Sequence, residues 1–255
     1  MRSVGEEGDN GEKDGRGGAS GVTAVVTERR GEVAEPPPPG YVVALPLLRP
    51  VWRSLPHAAL AAGAGLGLLL AGVPRMLSVP ADPWLCLNLL RAAALALALG
   101  LAFLLDDPAR HTTAPVPTGR AVRIGLRVGC VLPLAAVWWT AALFLIPEKV
   151  RPPVGATTLE AAAFAVLALA GAVVAVRHSE ATEPGITVSA GLLGASFAAA
   201  LLLPGRWALW VATADPHWDD AHRRWAGLLV VAALTGAFSL TEPLRRRRTM
   251  SLAHR

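Results

Sequence analysis

The densest group of chemically capable side chains is Asp106-Asp107-Pro108-Ala109-Arg110. It follows directly on the apolar run Cys86–Leu105. Two carboxylates and a guanidinium around a proline suit charge-assisted recognition of a partner surface. They also suit a plain helix stop, with Arg110 setting orientation. Acids at a helix C-terminus oppose the helix dipole, so the run gains nothing locally from them, which favours a docking role. Two further ionisable residues lie inside apolar runs, Arg91 and Glu160. A charge near the centre of a bilayer costs at least ~2.5 kcal/mol. Both sit near the ends of their runs, where a long side chain can reach the headgroup level. Facing inward instead, they would line a polar path or pair with each other.

His217-Trp218-Asp219-Asp220-Ala221-His222 has metal-ligating residue types, but its spacing fits no standard site and reads as an interfacial helix. HExxH, GxSxG, CxxC and GxxxxGK[ST] do not occur, and the only lysines are Lys13 and Lys149. The expectation is a chain that is not an enzyme, holds no metal or cofactor, and does not itself hydrolyse ATP.

The elements that must position these residues follow from composition. Of 255 residues, 53% are hydrophobic and 17% charged, against about 25% charged in a soluble domain. The charges cluster and leave long Ala/Leu-rich stretches without strand-like alternation, the pattern of membrane helices rather than barrel strands. Residues 1–40 hold five Lys/Arg against eight Asp/Glu, so the basic excess lies in 41–255. Those arginines flank apolar runs, which reads as topology and headgroup contact rather than nucleic-acid binding.

Residues 1–40 are Gly- and acid-rich with no apolar signal region and read as a disordered cytoplasmic tail. Residues 41–54, broken by Pro46 and Pro50, read as an interfacial segment. Residues 55–242 form the transmembrane domain, and 243–255 a basic cytoplasmic tail. Six spans are expected: Leu55–Val73, Cys86–Leu105, Gly129–Ile146, Leu159–Val176, Ile186–Leu203 and a short Trp225–Leu240. Asp106–Arg127 is then a connecting loop. Eleven Lys/Arg flank one side and six the other, which places both termini in the cytoplasm. Trp84, Trp207, Trp210, Trp218 and Trp225 fall at the predicted outer interface. The expected fold is all-α and integral to the plasma membrane, with six transmembrane helices arranged as three hairpins. Cys86 and Cys130 fall at opposite ends of neighbouring spans, too far apart for a disulfide.

Small residues recur every four positions, at Ala59, Gly63, Gly67 and Ala71 and at Ala190, Gly194 and Ala198. Such rows let helices approach closely, within the chain or in a homo-oligomer. Ala81-Asp82-Pro83-Trp84 echoes Ala214-Asp215-Pro216 with Trp218 one place later, and Phe103, Leu105, Pro108 and Arg110 echo Phe238, Leu240, Pro243 and Arg245. The two hairpins that contain them would be a parallel repeat.

FLLDDPARHTTAPVPTGRAVR, EKVRPPVGATTLEAAA, GRWALWVATADPHW and the closing EPLRRRR resemble a group of actinobacterial six-span membrane proteins described as ABC-transporter permeases or ABC-transporter-associated proteins. The resemblance covers about residues 45–250. It implies a permease subunit in the lipid membrane, driven by a separate ATP-binding subunit. It also implies that Asp106, Asp107, Pro108 and Arg110 occupy the loop that contacts the ATPase, and that Tyr41–Arg53 is the interfacial helix before the first span. The competing expectation is a scaffold or accessory subunit that transports nothing.

Overall fold

A computed structural model describes residues 51–76, 82–106, 120–178 and 183–240. The expected tails, most of the 41–54 segment, and Asp107, Pro108 and Arg110 lie outside the described residues. Every regular element among the described residues is helical: α1 (His57–Met76), α2 (Pro83–Ala102), α3 (Arg120–Leu145), α4 (Val154–His178), α5 (Gly185–Leu202) and α6 (Trp218–Leu240). Five stretches are long and apolar enough to cross a membrane: His57–Met76, Pro83–Leu105, Ala121–Leu145, Val154–His178 and Gly185–Leu202.

Three boundaries differ from expectation, each for a local reason. Arg120, Arg123 and Arg127 belong to the first turns of α3 and not to a loop, in keeping with arginine as a good helix former. α4 begins at Val154, directly after Pro152 and Pro153. α6 begins at Trp218 and runs for 23 residues, so it is not short; Asp219 and Asp220 occupy its first turn, where they complement the helix dipole. The charges of those opening turns keep it out of the five apolar stretches.

The two Ala-Asp-Pro segments do different local jobs. Asp82 accepts the Leu85 N–H at 3.0 Å and caps α2, with Pro83 at its first position. Asp215 accepts the His217 N–H at 2.8 Å just before α6.

α2 is the axis of the bundle: 61% of its apolar window is buried, against 6% for α5. It packs along α1 on one side and α4 on the other, and α4 packs in turn on α6. The close α1–α2 approach depends on glycine. A Cβ on Gly63 would lie 2.6 Å from the Ala96 carbonyl oxygen, and one on Gly67 would lie 2.5 Å from the Trp138 ring. The three-hairpin arrangement holds for α1 and α2 only; among the described residues α3 with α4 and α5 with α6 are not closely packed pairs. α4 buries itself against α2 and α6 instead, because that is where Phe164, Trp225 and Glu160 find partners.

Helix ends are closed by arginines from other elements. Arg75 donates to the Leu145 and Phe144 carbonyls at 2.7 and 2.8 Å, and Arg151 to those of Leu143 and Ile146 at 3.1 Å each. Both groups complete the C-terminus of α3. Arg177 does the same for α6, donating to Phe238 and Ser239 at 3.0 and 3.1 Å. The last carbonyls of a helix have no partner within it, and a cation there is also attracted to the negative end of the dipole.

Candidate functional site

Arg91 is the ninth residue of α2, Glu160 the seventh of α4 and His222 the fifth of α6. Those three helices start at the same end of the bundle, so the side chains converge roughly 6–12 Å inside it, from a 1.5 Å rise per residue. Arg91 is 4% exposed and Glu160 1%. Neither reaches outward.

Arg91 Nε donates to Glu160 Oε2 and Nη2 to Oε1, both at 2.7 Å. This parallel fork is the strong form of the pair. Nη1 donates to the Val211 carbonyl at 3.0 Å. The faces of the guanidinium meet indoles, with Cζ 5.6 Å from the Trp210 ring centre and 5.9 Å from that of Trp218, within cation–π range.

His222 closes the cluster. Its Nδ1 is 2.8 Å from the Trp218 carbonyl, which only accepts, so Nδ1 carries the proton. Its Nε2 is 3.1 Å from Glu160 Oε1 but out of line for a hydrogen bond. The rings of His222 and Trp218 are 4.2 Å apart.

The segment between α5 and α6 forms the roof. Trp210 and Trp225 pack with Phe164 at ring separations of 5.0 to 5.6 Å. Trp225 Nε1 donates to the Leu209 carbonyl at 3.2 Å, and Arg224 to that of Ala208 at 2.9 Å. The buried Trp210 N–H has no acceptor among the described residues.

The remaining residues of the 217–222 segment are used one at a time. His217 bonds back to Asp215 at 3.0 Å, and Asp220 pairs with Arg223. The N–H of His217, and then its ring, hold the exposed Asp215 carboxyl below the ordinary carboxylate range.

Asp106 lies at the other end of α2. Its Oδ1 accepts the Gly185 N–H at 2.9 Å, so it caps the start of α5. A Cβ at position 185 would meet the Phe103 ring at 2.5 Å and Asp106 Oδ2 at 2.8 Å, so the approach needs glycine. Arg127 Nη1 donates to the Leu104 and Asp106 carbonyls at 3.3 and 3.4 Å. Burial pushes the Asp106 carboxyl above its ordinary range; the Gly185 N–H pulls it back, Glu183 adds to the rise and Arg127 lowers it.

Of the residues singled out from sequence, Arg91 and Glu160 meet, Asp106 turns into the fold, and Gly63 and Gly67 face α2. Gly194 has open space where a Cβ would go. Nothing in the linear sequence singles out Val211, Trp210 or His222 as partners of the pair. The one available signal was the spacing of Trp218, His222 and Trp225, which puts three rings on neighbouring turns of one helix.

No family model, no curated protein and no solved structure matches this chain.

Proposed function

We propose that the chain is an integral membrane permease subunit of an ABC-type transporter, energised by a separate nucleotide-binding subunit. In this reading α6 is the sixth span, and the end bearing Asp106 and the basic start of α3 faces the cytoplasm. The observation that supports it most is the junction at Asp106. One carboxylate and one guanidinium join the end of α2, the first turns of α3 and the start of α5. A partner bound to the connection that begins there would act on three helices at once, which is what a motor subunit needs of its docking loop.

A scaffold or accessory role is the second reading. The closed Arg91–Glu160 fork favours it, because both charges are consumed in holding helices together and offer nothing to a polar path.

The test is purification of the full chain from its own host in mild detergent. The permease reading expects a nucleotide-binding chain to co-purify, with ATP changing the reactivity of the half-buried Cys130 thiol. Co-purification with an unchanged thiol supports the scaffold. The absence of any nucleotide-binding chain overturns the permease reading.

A further inference from the structure

The loose approach of α3 and α4 leaves a lateral groove of ≈ 550 Å³ with α2 as its floor. Ala94, Leu97, Leu132, Ala136 and Ala161 are among its lining residues. The polar groups nearby are already satisfied. Trp139 Nε1 donates to Thr158 Oγ1 at 3.0 Å, and Thr140 bonds back to its own helix at 2.8 Å. The walls are therefore apolar.

Arg151 stands at one end of the groove. Its Nε and Nη2 are held by carbonyls of α3, and its guanidinium lies 5.2 Å from the Phe144 ring centre. Its Nη1 has no hydrogen-bond acceptor among the described residues. Lys149 lies two residues before it, in the turn Glu148–Val150.

Apolar walls, length and the cation at one end together point to one occupant. From Leu132 to Phe144 the groove follows α3 for roughly 18 Å at 1.5 Å per residue, about the depth of one leaflet of a ~30 Å hydrocarbon core. An extended acyl chain is narrow enough. A fixed cation at the mouth adds selection for a negative headgroup.

We propose that this groove is a binding site for an anionic phospholipid, with one acyl chain between α3 and α4 and the phosphate on Arg151. The site requires only that the chain is embedded in a bilayer and does not depend on the transporter reading.

The experiment reconstitutes the full chain into nanodiscs of equal parts phosphatidylglycerol and phosphatidylcholine and counts retained lipids by native mass spectrometry. The wild-type chain is expected to retain phosphatidylglycerol at least fivefold over phosphatidylcholine. Arg151→Gln should bring that ratio close to one while a lipid is still retained. Ala136→Phe replaces an exposed methyl in the groove wall and should abolish retention of either lipid. Should Arg151→Gln fail to fold, Ala136→Phe decides alone. Equal retention of both lipids by the wild-type chain, lipid retention unaltered by Ala136→Phe, or a second copy of the chain retained in place of lipid each overturns the proposal.

Discussion

Arg91 on α2 and Glu160 on α4, 69 positions apart in the chain, share two parallel hydrogen bonds of 2.7 Å in a site closed to solvent. Breaking such a pair from one side leaves a bare buried charge, at a cost of about 3–5 kcal/mol, whereas replacing both partners by apolar residues is often near neutral. Arg91→Leu and Glu160→Leu should each lower the unfolding midpoint in detergent sharply. The double variant should recover most of the loss. Additive losses in that cycle would show that the fork carries no coupling energy.

The glycines separate by what lies opposite them. Gly63→Ala pushes a methyl into the Ala96 carbonyl, and overpacking of this kind costs about 1–3 kcal/mol. Gly194→Ala meets nothing within 4 Å and should gain up to about 1 kcal/mol of helix propensity. Thermal unfolding of the two variants side by side checks the order, and a destabilised Gly194→Ala would reveal a partner packed on α5.

Arg75 completes the end of α3 with two charge-assisted bonds. Hydrogen bonds to a charged group contribute about 1.5–3 kcal/mol. Arg75→Met should therefore lower stability by about that much and increase amide hydrogen exchange at the C-terminus of α3. Unchanged exchange there would mean that the carbonyls find other donors.

The Asp106 carboxyl sits above its ordinary range because it is buried. A raised folded value favours the fold at low pH, and that contribution fades as pH rises through the folded value. Asp106→Asn keeps an oxygen for the Gly185 N–H without the charge. Above the ordinary carboxylate value of about 3.9 it should be at least as stable as the parent, with the difference vanishing below. Asp215 has the opposite sign: its lowered value gives stability present above about 3.9 and lost as pH falls. Unfolding midpoints of Asp106→Asn and Asp215→Asn across pH 3–7 test both signs, and parallel curves for the two would contradict them.

The apolar helices were legible because their signal is local: long runs without charge, bounded by Pro and Arg. Pairing of Arg91 with Glu160 was one of two readings open to the sequence, and depth alone favoured the wrong direction. A side chain roughly 12 Å along a helix can reach the headgroups, but a carboxylate on the neighbouring helix is nearer. Against the helix it follows, Asp106 is unfavourable. It serves a different helix, 79 residues on, and nothing in the linear chain marks that. In the linear chain the flanking arginines read as topology signals. Arg75, Arg127, Arg151 and Arg177 also finish helix ends on neighbouring elements, a role that exists only once the helices are assembled. Among the described residues α3 with α4 and α5 with α6 are not closely packed, while the aromatic cluster joins α4 to α6, so adjacency in sequence is not adjacency in packing.

The separation between Arg91 and Glu160 also sets an order of events during synthesis. At about 5–20 residues per second, the ribosome makes the intervening 69 residues in roughly 3–14 s. Throughout that interval a nascent α2 holds a cation whose counter-charge has not yet been made. In a bilayer, a lone guanidinium at that position is drawn toward the headgroups. The fork can close only once α4 has been made, and the Val211 carbonyl comes later still.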